Sequence, residues 1–286
     1  MPVQRSVEQS AGLFLYLDLM CGYRRIIIQI LGIIAPMGKL LIKPLKSLSK
    51  GPMMDKTKAD INWNKIALYL KIGIVGATII LVGDLLMGWG VRDESMTGIE
   101  SQLSPYLDIP DSRMILASLC GLLGVPIAVV GHIGIYKLLK PYSSKYARLY
   151  AIGIVGFLIV GGAGVHVSSV EAAFFYKNMA VANPDIVFTL ATQFALYFLL
   201  PLYAVLLPCW FIMVYAHIRA ISMGLSPYPR WCVAFSMLVG TLLVCLIGLV
   251  GNYAIVNALM VGAFSIGNVW TLAGHLALLP KAKQAQ

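Results

Sequence analysis

Six apolar runs, each long enough to cross a bilayer, constrain this chain more than any other feature. They cover roughly residues 66–91, 114–136, 149–170, 186–217, 231–250 and 258–279. A helix needs about 20 mostly apolar residues to cross the hydrocarbon core. No water is available there for backbone groups, so only helices and closed barrels span it. Barrel strands alternate apolar and polar residues, whereas these runs are continuously apolar. The expected fold is therefore an all-α integral membrane protein, a six-transmembrane-helix bundle. Composition agrees: only 12% of residues are charged and 59% are hydrophobic. Soluble domains carry about 25% charged residues, so an ordinary water-soluble fold is excluded. The apolar excess excludes a disordered chain as well.

The net charge of +10 is explained by topology before any nucleic-acid partner is needed. Lys56, Lys58 and Lys65 precede the first run. The next loop holds Asp93, Glu94, Glu100, Asp108 and Asp111 against Arg92 and Arg113. Lys137, Lys140, Lys145 and Arg148 follow the second run, and Glu171 and Asp185 against Lys177 follow the third. Arg219 and Arg230 lie after the fourth, and Lys281 and Lys283 in the tail. Basic and non-basic loops alternate, and cytoplasmic loops carry the Lys/Arg excess. Both termini are thus expected in the cytoplasm of a bacterial cell membrane, with the acidic loops outside. Trp63, Tyr142, Tyr146 and Trp231 fall at inner boundaries, and Trp89, Tyr176 and Tyr253 at outer ones, as interfacial aromatic belts do.

Residues 1–52 form a basic N-terminal extension to the six-helix domain of residues 53–286. Its apolar stretch, residues 13–42, contains Asp18, Arg24 and Arg25. Each such charge costs roughly 2.5–3.5 kcal/mol on insertion, and each Leu or Ile returns only about 0.3–0.6. A seventh span is not expected. Two readings stand: an interfacial segment whose Lys39, Lys43, Lys46 and Lys50 meet anionic lipid, or a chain that natively starts at Met53 or Met54.

Glycines cluster inside the runs, and Ile72-Gly-Ile-Val-Gly76 recurs as Ile152-Gly-Ile-Val-Gly156. Small residues let membrane helices approach closely. Pro201 and Pro208 in the fourth run are expected to bend it. The five cysteines are odd in number, lie in apolar stretches and form no CxxC pair. A disulfide framework, a metal site or a cofactor is therefore not indicated.

Ionisable residues inside a membrane are costly and mark candidate sites. Asp84 lies near the outer end of the first run, His166 near that of the third, and Asn252 closes the fifth. With Glu171, Arg113 and Tyr176 they are expected to form one outward-facing polar cluster that binds a ligand or carries protons. His132, His217 and His275 fall near inner helix ends, where they serve packing or an inner gate. No HExxH, GxSxG or phosphate-loop motif occurs, so no reaction is assigned.

The segment Gly83-Asp-Leu-Leu-Met-Gly-Trp-Gly90, the acidic loop after it, and the run from Arg113 through Cys120 to Pro126 resemble a family of bacterial multi-pass membrane proteins of unknown function. The resemblance covers about residue 60 to the end. It implies the topology and a bacterial cytoplasmic membrane, and brings no catalytic residues. Three functional classes follow. The first is a protein that binds or moves a small or lipid-like ligand through the outward pocket. The second is a membrane-embedded enzyme acting on a lipid. The third is a non-catalytic immunity, sensor or interaction protein.

Overall fold

A computed structural model describes residues 61–183 and 186–284. The N-terminal extension and Asp185 lie outside the described residues. The chain divides into two units. One comprises Ala59–Glu94 and Gln102–Gln286; of the other, the described part is residues 95–101. That short stretch turns at Gly98, whose φ of 67° favours glycine.

Helix α1 spans Trp63–Gly88, and the Asn62 side chain accepts from the Lys65 backbone N–H to cap it. The short α2 is Gly98–Leu103, followed by a 3₁₀ turn at Ser104–Asp108. α3 spans Asp111–Leu139 and opens with Pro110 and an acid in its first turn, which suits the positive end of the helix. α4 runs unbroken from Ser144 to Ala182, capped by Ser143, with a π-helical middle at Phe157–His166. α5 is Val187–Ser222, α6 is Met237–Val250, α7 is Ala254–Val261 and α8 is Ala263–Gln284.

α1, α3, α4 and α5 are each long and apolar enough to cross a membrane. α7 and α8 pass that test together, as a pair bent by 66°. The fifth apolar run is shorter than its sequence indicates. Residues Arg230–Phe235 wind into a separate 3₁₀ turn, and Ser236 is extended before α6 begins. At the other end α6 tightens to 3₁₀ winding and stops at Gly251, whose φ is 136°. The sixth run bends at Gly262, between α7 and α8. The third continues well past residue 170, to Ala182.

The bend expected from Pro201 takes a specific form. α5 widens to π winding at Ala195–Leu199, just before the proline. Proline cannot donate a backbone hydrogen bond and crowds the carbonyl one turn back, and a wider turn absorbs that mismatch.

Both copies of the Ile-Gly-Ile-Val-Gly sequence do the same work. In α1, a methyl group on Gly73 would strike the backbone of Gly131, and one on Gly76 the backbone of Ala128. In α4, a methyl group on Gly153 would strike the Met213 side chain and the Cys209 carbonyl of α5, and one on Gly156 the Cys209 side chain. Each glycine pair lets its helix pack closely against the next long helix. The resulting core joins Leu70, Ala77, Val125, Ala128, Tyr150, Met213 and Leu272. Large apolar side chains also cover the outside: Ile159 is 68% and Ile115 63% exposed. So much exposed apolar surface suits lipid rather than water. The four described cysteines, Cys120, Cys209, Cys232 and Cys245, are unbridged.

Candidate functional site

Asp84 follows Gly83 on α1, where the absence of a side chain lets α1 approach Ala117 and Cys120 of α3. His166 ends the π-helical stretch of α4, which contains Gly161, Gly162 and Gly164. Such wider turns re-aim side chains relative to a regular helix. Gly121 of α3 leaves space for the imidazole, because a methyl group there would overlap the His166 ring.

The result is a closed, largely buried pair. His166 Nδ1 lies 3.3 Å from Asp84 Oδ1, with the two side chains 10% and 14% exposed. His166 Nε2 lies 2.9 Å from the Ala117 carbonyl. Ser265 of α8 donates its hydroxyl to Asp84 Oδ2. Both imidazole nitrogens therefore face acceptors. A neutral imidazole has one N–H and can donate to the carbonyl or to the carboxylate; donating to both takes a second ring proton. Four helices, α1, α3, α4 and α8, build this pair.

Tyr106, on the 3₁₀ turn before α3, lies beside it. Burial pushes the Tyr106 phenol above its ordinary range, and the nearby Tyr203 and Asp84 push it the same way.

The remaining residues of the expected cluster lie elsewhere. Arg113 donates to the Leu86 and Trp89 carbonyls and caps the end of α1; it pairs with neither Asp84 nor Glu171. Asn252 accepts from the Arg92 backbone N–H and donates to its carbonyl, at 3.0 and 2.8 Å. It also bonds Glu94 and Asn257, so it fastens the loop after α1 to the turn between α6 and α7. Glu171 is exposed, and five residues of α4 separate it from His166, which puts it on another face. Of the six residues expected in one cluster, the structure brings Asp84 and His166 into contact, with Ser265 completing the pair.

A second polar cluster fills the other half of the bundle. Asn268 of α8 donates to the Phe264 carbonyl, so its Oδ1 accepts from His132 Nε2 of α3, at 3.0 Å. That leaves His132 Nδ1 to accept from the Tyr150 hydroxyl of α4, at 2.8 Å. His275 Nδ1–H donates to the Thr271 carbonyl, so its Nε2 accepts from His217 Nε2–H of α5, at 2.9 Å. Tyr228 donates to the His275 carbonyl. The Tyr150 and His217 rings lie 6.0 Å apart, and the Thr271 hydroxyl between the two groups is buried without a partner.

α8 links the two clusters. Ser265, Asn268, Thr271 and His275 are all buried, and their spacing of three, three and four places them on one helix face. The stripe is about 15 Å long at 1.5 Å per residue. Its spacing is legible in the sequence, and Ser265 is the partner that reasoning from charged residues alone overlooks.

Among the described residues, no group of three or more His, Cys, Asp or Glu side chains is arranged to hold a metal ion. Two cavities stand out, and neither is lined by Asp84 or His166.

An all-helical bundle with several helices of membrane-spanning length, carrying buried polar clusters, defines the class: a helical protein of membrane type. The chain belongs to a family of unknown function (DUF6796), whose model matches residues 53–282. No curated protein and no solved structure matches it.

Proposed function

We propose that this chain is a six-span protein of a bacterial cytoplasmic membrane, with both termini inside, and that its buried polar track carries protons across the bilayer. The alternation of basic and non-basic loops supports the orientation. α6 and the bent α7–α8 pair supply the fifth and sixth spans, α6 being continued towards the cytoplasm by the 3₁₀ turn at Arg230–Phe235.

The observation that carries the functional reading is the Asp84–His166 pair. Both imidazole nitrogens face acceptors, so the pair holds a proton that can move between two groups. A buried ionisable residue is expensive in a membrane, and chains of acids and histidines are how pumps and transporters pass protons. Ser265, Asn268 and Thr271 continue from the pair towards His132, Tyr150, His217 and His275. Water entering at the unpartnered Thr271 hydroxyl would join the segments, since buried water settles where polar groups lack partners. Proton passage gives a concrete form to the wider class of small-ligand transport and does not require an open pocket at Asp84.

The test is proton entry into proteoliposomes driven by a potassium diffusion potential and followed with an internal pH dye. Wild-type vesicles are expected to acidify at least tenfold faster than protein-free vesicles, and vesicles with Asp84→Asn at the protein-free rate. Wild-type protein that conducts no faster than bare lipid would overturn the proposal.

A further inference from the structure

The two ends of the bundle differ in charge. Within the larger unit the described acids are Asp84, Asp93, Glu94, Asp108, Asp111 and Glu171, which lie near the end of α1, in the segments between it and α3, at the start of α3, and past His166 on α4. At the opposite end, where α1 starts and α3 finishes, Lys65 and Lys137 are exposed. Among the described residues, no ion pair joins Lys65 or Lys137 to a carboxylate.

These two lysines converge. Lys137 Nζ donates to the Tyr69 hydroxyl at 3.3 Å and sits 4.8 Å from the centre of its ring. Lys65 Nζ lies 5.9 Å from the same ring centre. Between them is a cavity of about 260 Å³ lined by Ile61, Asn62, Lys65, Ile66, Lys137 and Pro141. Two ammonium groups held on one aromatic ring repel each other. An anion seated between them would relieve that repulsion and accept the remaining N–H groups. Below Lys65, the exposed residues Leu68, Val75 and Val82 recur at intervals of three, seven and seven, which is one face of α1. Cationic heads above an apolar stripe are the complement of a phospholipid, with its phosphate at the interface and its chain along the helix.

The cavity at the other end of α1 does not share this chemistry. It is lined by Val82, Leu85, Leu86, Trp89 and Arg113, and the guanidinium of Arg113 already caps α1.

We propose that the Lys65–Tyr69–Lys137 cavity is a binding site for an anionic phospholipid, its phosphate held between the two lysines and an acyl chain lying along Leu68, Val75 and Val82. The site is independent of proton passage and would survive the failure of that proposal.

The test is native mass spectrometry of the full chain in detergent with dioleoyl-phosphatidylglycerol or dioleoyl-phosphatidylcholine. Wild type is expected to retain the phosphatidylglycerol at least tenfold better. Lys65→Gln/Lys137→Gln should abolish that preference, and Lys145→Gln/Lys281→Gln should leave it. Glycerol phosphate at the same concentration should not compete, because it lacks the chain. Preference kept in the Lys65/Lys137 variant, or full competition by glycerol phosphate, overturns the proposal. Should the double variant not fold, each single Gln variant is read instead, with at least a threefold loss expected.

Discussion

Two histidine clusters share this bundle and differ in what faces the ring. At His166, one nitrogen meets a backbone carbonyl and the other a carboxylate, so two protons are needed where a neutral ring has one. At His132, one nitrogen meets an amide oxygen and the other a hydroxyl that donates to it. A single proton satisfies that ring, and the His217–His275 contact closes in the same economical way. Both clusters are set between helices, yet only in the first do both imidazole nitrogens face acceptors. The second is a set of hydroxyl, amide and imidazole groups whose hydrogen bonds each have a definite donor and acceptor. Partner identity, rather than residue type or depth, separates the two clusters.

The largest expected effect comes from breaking the first cluster. Asp84→Ala leaves His166 with one acceptor missing and a buried proton without a partner. Loss of one member of a buried pair costs about 3–5 kcal/mol, so the unfolding midpoint in detergent should fall more than for any other single change considered. Tyr150→Phe removes one hydrogen bond and leaves His132 Nδ1 unpaired, at about 1–3 kcal/mol. Equal losses in the two variants would erase the distinction between the clusters.

A smaller effect should appear at alkaline pH. The Tyr106 phenol titrates above its unfolded value near 10, so the folded state holds that proton more tightly than the unfolded state. Its contribution is fully present below pH 10 and is lost as the pH rises through the higher folded value. Wild type should therefore lose stability more steeply than Tyr106→Phe in thermal melts from pH 9 upward. Parallel curves would mean that burial does not hold the Tyr106 proton more tightly in the folded state. The smallest effect belongs to Glu171→Gln, which should stay within about 0.5 kcal/mol of wild type, as exposed substitutions do; circular-dichroism melts suffice to check it.

Much of the helical class was legible because continuous apolar runs have no other solution in a bilayer. The glycine pairs at Gly73/Gly76 and Gly153/Gly156 signalled close packing, and the structure gives each a named neighbour. Asp84 and His166 stood out because a charge in an apolar run needs a partner, and they supply each other. Arg113 and Asn252 misled the sequence reading because polar residues at equal depth need not meet. Both are consumed by backbone groups, whose positions depend on where helices end. The start of α6 was hidden because Trp231–Phe235 is apolar enough for a helix, while the extended Ser236 is a feature of the backbone and not of hydropathy. The α8 stripe was present as spacing, but its meaning depended on which helices packed against it.

Proton entry into proteoliposomes containing Asp84→Asn, Tyr150→Phe or Asn252→Ala, each compared with wild type, tests the central claim most directly. If the two clusters form one route, Asp84→Asn and Tyr150→Phe should each slow acidification at least tenfold. Asn252→Ala, which disturbs only the loop fastening, should conduct as wild type does. Wild-type flux through both Asp84→Asn and Tyr150→Phe would contradict the account and make the buried polar groups structural fastenings between helices.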